Sequence, residues 1–153
     1  MSRTYGLRSA RDLFAKLERD AELLRKEVSS DRFFNYVVTA YSLADWIDKD
    51  PNVPASAKSD LQRFRGTNEI QICRDLANAS KHFQLDPRRN PSPTVAAADS
   101  AQGFDVGRYD VGGYDVGEEE ITVSLTAGSS INGLDVMENS LREWQQFFAA
   151  HGI

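Results

Sequence analysis

Residues 31–49 constrain this chain more than any other stretch. Phe33, Phe34, Tyr36, Val37, Val38, Ala40, Tyr41, Leu43, Ala44, Trp46 and Ile47 put apolar groups almost all the way round one helix. A helix that is apolar on every side belongs at the centre of a bundle, touching neighbours in several directions. It ends before Pro51, whose ring disfavours a helical predecessor. The expectation is therefore that Phe34, Val38, Tyr41 and Trp46 are largely buried, together with Leu76 and Trp144 from other helices.

The neighbours are legible as single-faced helices. Over residues 10–28, Leu13, Leu17, Ala21, Leu24 and Val28 recur at spacings of three and four, widened by Phe14. Ser9 is its expected N-cap, and Asp12 puts negative charge where the helix dipole favours it. Residues 55–65 offer Leu61 and Phe64, and Gly66-Thr67-Asn68 then interrupts the pattern. Residues 68–83 open with Asn68 and Gln71 at capping-box spacing. Residues 134–150 carry Leu134, Met137, Leu141, Trp144 and Phe148 on one stripe, with Asn132 as cap and Gly152 just past the end.

Between residues 86 and 130 the period changes. Phe104-Asp105-Val106-Gly107, Tyr109-Asp110-Val111-Gly112 and Tyr114-Asp115-Val116-Gly117 repeat one tetrapeptide pattern at a five-residue period. Residues 119–127 alternate, with Ile121, Val123 and Leu125 facing one way, and predict a β-strand. Its partner is expected either at residues 94–98 or within the repeat. The fold class is thus mainly α: a single domain over residues 1–153, a bundle of four to five helices with a β-hairpin arm inserted at 86–130, before the last helix.

With 153 residues, 41% hydrophobic and 27% charged, the chain has room for one sizeable core. Its apolar runs are far shorter than the ~20 residues that span a bilayer, so no membrane is expected. The first residues lack an apolar leader and predict a cytoplasmic chain. A lone Cys73 excludes an internal disulfide framework. With only His82 and His151 beside it, no multi-histidine or multi-cysteine metal centre, and no cofactor, is expected. Charge is unevenly shared: residues 1–90 hold 16 Lys/Arg against 13 Asp/Glu, residues 91–153 hold 2 against 10, and the resulting +3 and −8 give the overall −5. The first part can approach a phosphate backbone, whereas the second repels one.

The chemistry-bearing stretch is residues 72–83, ICRDLANASKHF. At 100° per residue, Ile72, Leu76, Ala79 and Phe83 share one face, while Gln71, Asp75, Asn78 and His82 form a polar line along its margin. Arg74 and Lys81 share the remaining side. A polar line beside a packed face must be hydrogen-bonded, and it can border a cleft. Two readings are open. In one, Asp75, Asn78 and His82 form a structural network with Asp45, the carboxylate before Trp46 in the apolar helix. In the other, His82 transfers protons near neutral pH, and Arg74 or Lys81 stabilises an anion.

Here the chain resembles the HEPN superfamily of prokaryotic defence and toxin–antitoxin systems. Those families are helical bundles, usually dimeric, and many are metal-independent ribonucleases. Their motif is an Arg, usually followed by a polar residue, then a His after four to six intervening residues. Arg74-Asp75 matches the start, whereas His82 follows Arg74 after seven. On a regular helix that leaves the two about 80° apart, so a common pocket calls for a helix distortion or a dimer partner. The resemblance covers residues 10–85 and the last helix, and leaves the β arm unexplained.

Cys73 is expected to be a buried structural thiol. Nine helical positions separate it from His82 by about 13 Å, too far for a nucleophile–base pair. The five-residue Asp period of the repeat matches neither an EF-hand nor a β-roll, so no specific Ca²⁺ site is expected there. Aromatics set among aspartates suit a flexible acidic loop or a partner-docking surface. The sequence leads first to an interaction or accessory module, placed by the resemblance in a prokaryotic defence system, with a protein partner or a homodimer. The alternative is a metal-independent endoribonuclease acting on RNA through His82 with Arg74 or Lys81, with Asp75 and Asn78 as orienting or binding groups.

Overall fold

The computed structural model of the chain describes residues 3–102 and 119–153. The (Phe/Tyr)-Asp-Val-Gly repeat lies outside the described residues, and so do the docking and Ca²⁺ expectations attached to it. Element order is α1 (Ala10–Lys26), α2 (Ser30–Lys49), α3 (Ala55–Arg65), α4 (Asn68–His82), β1 (Val95–Gln102), β2 (Glu119–Leu125), β3 (Ser130–Asn132) and α5 (Gly133–His151). The mainly α bundle with a β arm ahead of the last helix is therefore the fold observed.

Helix boundaries follow local chemistry. The Ser9 hydroxyl accepts from Asp12 N at 3.1 Å while the Asp12 carboxylate accepts from Ser9 N at 3.1 Å, a reciprocal cap for α1. Asn132 caps α5 by accepting from Asp135 N at 2.8 Å. Gly152 terminates α5 with φ 64°, the left-handed conformation glycine adopts without steric cost. The expected capping box at Asn68 is absent. Thr67 is the N-cap of α4, and the Gln71 amide instead donates to the Arg65 carbonyl at 2.6 Å, tying α4 back to the last turn of α3.

α2 packs against α1, α3, α4 and α5, but it is not buried all round. Phe33, Tyr36, Val37, Ala40, Leu43, Ala44 and Ile47 form its inner face. Phe34 is 44% exposed, and Val38, Tyr41 and Trp46 are only partly buried. The correction has a helical reason: Phe34, Val38, Tyr41 and Asp45 follow one another at spacings of four, three and four, which is one strip, and that strip faces outward. Leu76 and Trp144 are buried as expected.

Aromatic rings from α1, α3 and α5 fill the core. Phe14 stacks on Phe148 at 4.2 Å, and Phe64 meets Trp144 at 4.5 Å between centroids. Burying one such side chain stabilises the fold by about 1.5–3 kcal/mol. The Tyr36 hydroxyl, deep in the core, pairs with the Ser140 hydroxyl at 2.8 Å and donates to the Met137 carbonyl at 3.0 Å, so its polar tip is satisfied.

The arm is a three-stranded antiparallel sheet in the order β1-β2-β3, with Ser100 opposite Ile121 and Val123 opposite Ile131. The partner of β2 thus comes from the earlier of the two expected segments, lengthened to Gln102. Val95, Ile121 and Val123 turn inward and join the core beneath α5. The Glu119 N–H donates to the Val28 carbonyl at 2.9 Å, and the Ser30 hydroxyl donates to the Glu119 carboxylate, seating β2 on the α1–α2 junction.

Cys73 lies wholly inside, and burial pushes its thiol up from 9.0 to about 12. A raised value means that this group's contribution to stability is complete below about pH 9 and is lost as the pH climbs toward 12. Folded protein at pH 8 is accordingly expected to resist a thiol-specific disulfide reagent, and to react only when urea unfolds it. Labelling at the rate of a free thiol in native buffer would contradict this placement.

Candidate functional site

The site is built around Asp75, which is 1% exposed. Its Oδ2 accepts from the backbone N–H of Thr94 at 2.6 Å and of Val95 at 3.0 Å. Its Oδ1 accepts from the Asn90 amide at 2.7 Å and from the Arg74 guanidinium at 2.9 and 3.1 Å. Five donors thus converge on one carboxylate, which satisfies a buried charge that would otherwise be costly. Of the expected network of Asp75, Asn78, His82 and Asp45 only Asp75 is engaged, and its partners tie α4 to the entry of β1 rather than to α2.

The segment after α4 makes that convergence feasible. Asp86-Pro87-Arg88-Arg89 is a turn sequence with Pro at its second position. The Asp86 carboxylate accepts from Arg88 N at 2.9 Å, and its carbonyl accepts from Asn90 N at 2.9 Å. The chain therefore doubles back along α4 and delivers Asn90 to Asp75.

Between this returning segment and the outer side of α4 lies an open cleft of about 630 Å³. It is lined by Arg74, Asn78 and His82 of α4, by Tyr41 of α2, and by Asp86, Arg89 and Asn90 of the returning segment. α4 is a regular α-helix from Asn68 to His82, so the expected distortion is not what unites Arg74 and His82. They share a cleft because it runs lengthwise along the helix, over a rise of about 12 Å. That length suits an extended anion with successive charges better than a single small one.

The groups differ in readiness. The Arg74 guanidinium is held in place by Asp75 and also donates to Oδ1 of the Asn90 side chain at 3.3 Å. His82 is exposed, and neither its imidazole nor the Asn78 amide hydrogen-bonds to any described residue. Lys81 is not among the residues that line the cleft, and its ammonium stands 5.7 Å from the centre of the Tyr41 ring. Among the described residues no cluster of three or more His, Cys, Asp or Glu side chains could hold a metal ion.

Asp45 is a correction. It is exposed and pairs with Arg65 at 3.1 Å, away from residues 75–82. An exposed pair of this kind contributes only about 0–1 kcal/mol, and Asp45 takes no part in the site. His151, the other histidine, is held in place: its Nε2 lies 3.0 Å from the Asp60 carboxylate, and its ring packs on Phe147 at 4.6 Å. Arg63 and then His151 hold Asp60 down to about 2.

Sequence reasoning missed Arg89, Asn90 and Tyr41 as site residues. Tyr41 stood hidden in an apolar run. The available signal for the others was the Asp-Pro turn with two arginines directly after a helix carrying Arg74 and His82. No helix of the described residues is long and apolar enough to cross a membrane. Comparison of the chain with family models, with curated proteins and with solved structures finds no match.

Proposed function

We propose that the cleft binds the backbone of single-stranded RNA and cleaves it without a metal. The observation that carries this reading is that His82, exposed and without a side-chain partner among the described residues, lines the same cleft as an arginine locked in position by a buried carboxylate. Arg74 and Arg89 supply positive charge for phosphates. His82 accepts the proton of the ribose 2′-hydroxyl, whose oxygen then bonds to the adjacent phosphorus. The bond from phosphorus to the 5′-oxygen breaks, and that oxygen takes a proton from His82 or water. The products are a 2′,3′-cyclic phosphate and a 5′-hydroxyl. Arg74 opposes the charge that grows on the phosphoryl oxygens, and because Asp75 fixes it beforehand, no reorganisation is needed during the step. Asn78 and Asn90 offer neutral hydrogen-bonding groups to the sugar-phosphate chain. The test is incubation of the protein with single-stranded RNA in EDTA: fragments with cyclic phosphate ends are expected, and intact RNA would contradict the reading.

A second reading draws on the outward strip of α2. Phe34, Val38 and Trp46 border a groove of about 260 Å³ with Tyr5 and Leu7. Exposed aromatic groups in a groove suit protein docking, as in an interaction or accessory module of a prokaryotic defence system. Wild-type protein that leaves RNA intact would favour this reading over the first.

A further inference from the structure

Phe83 occupies a place that folding does not explain. It ends α4 with φ 68° and ψ −30°, and it is 90% exposed. The left-handed position after a helix belongs to glycine, because a Cβ is strained there. A phenylalanine at that position carries the strain, and its ring packs in no core in return. Its chain neighbours Lys81, His82 and Gln84 are exposed and polar, so it is not the edge of a local apolar stretch. His82 and Gln84, on either side of it, both line the cleft, which sets Phe83 at the rim.

Recognition of single strands combines a cationic groove for the backbone with an aromatic surface for bases, since every base has a stacking face. The cleft offers Arg74 and Arg89 for the first, each set beside a carboxylate, Asp75 at 2.9 Å and Asp86 at 3.9 Å. We infer that Phe83 supplies the second: a stacking platform at the rim that holds the base of a nucleotide whose phosphate lies beside His82, and so selects unpaired RNA. In a duplex the bases are already stacked on one another, and the ring has no free face to meet. This inference rests on the RNA-cleft reading.

The test measures binding of the full chain to a short fluorescent 2′-O-methyl RNA strand, which lacks the attacking hydroxyl, and to the same strand annealed to its complement. Phe83→Gly is expected to bind the single strand roughly 5- to 150-fold more weakly, while melting at or above the wild-type temperature because glycine relieves the left-handed backbone. Phe83→Trp is expected to keep wild-type affinity, and Phe83→Leu to weaken as Phe83→Gly does. The duplex is expected to bind more weakly than the single strand. Wild-type affinity in Phe83→Gly or Phe83→Leu, or equal binding of duplex and single strand, would overturn the platform and leave the cleft reading standing. Wild-type protein that binds neither form would overturn both.

Discussion

Asp75→Ala is expected to cost about 3–5 kcal/mol of folding free energy, the range for breaking a buried ionic network by removing one partner. The substitution abandons the Thr94 and Val95 N–H groups, the Asn90 amide and two bonds from Arg74. Each buried donor left without an acceptor costs about 1–3 kcal/mol, and water can reach Arg74 more easily than it can reach the backbone groups at the entry of β1. Asp75→Asn keeps the shape and one acceptor oxygen, so its loss is expected to be smaller. Urea unfolding of the three proteins measures the difference. A loss below about 1 kcal/mol for Asp75→Ala would mean that the carboxylate is not the joint between α4 and the β arm.

His82→Ala is expected to reduce RNA cleavage by about 10²–10⁴-fold, the usual effect of losing a general acid–base group. Its melting temperature is expected to stay close to wild type, because His82 is exposed and bonds to no described residue. Surface substitutions of that kind usually fall within about 0.5 kcal/mol. Arg74→Gln is expected to cost about 10²–10³-fold through the lost transition-state donor. It also lowers stability, since Arg74 bonds to Asp75. The contrast between the two variants matters more than either value. A His82→Ala protein that melts several degrees lower yet cleaves as before would make His82 structural and would defeat the proposed chemistry.

Local features of this fold are legible in the sequence. Ser9, Asn132 and Gly152 act within one turn of the backbone they cap, so side-chain chemistry alone identifies them. The alternation of Ile121, Val123 and Leu125 marks β2 for the same reason. β3 was missed because three residues, Ser130–Asn132, are too few to display a period. The two aspartates show where such reading stops. Asp45 stands between apolar neighbours, and adjacency along the chain suggested burial. Its helical neighbours, Phe34, Val38 and Tyr41, lie on the outward strip, and Asp45 is the polar residue that marks it. The polar line on α4 implies that Asp75 is hydrogen-bonded, but its partners Asn90, Thr94 and Val95 lie 15 to 20 residues further on. They reach it only because the Asp86 turn reverses the chain, and no helical periodicity encodes that. The same reversal supplies Asp86, Arg89 and Asn90, which line the cleft together with Arg74 and His82.

The central claim is that the phosphate backbone of RNA occupies the cleft beside His82. The chain has only two histidines, so their imidazole proton resonances give a direct local readout. His151 is an internal control, engaged with Asp60 at 3.0 Å and outside the cleft. Titration with the 2′-O-methyl single strand in EDTA is expected to shift the His82 resonance progressively and leave that of His151 in place. A His82 resonance that stays fixed at saturating oligonucleotide would contradict the account.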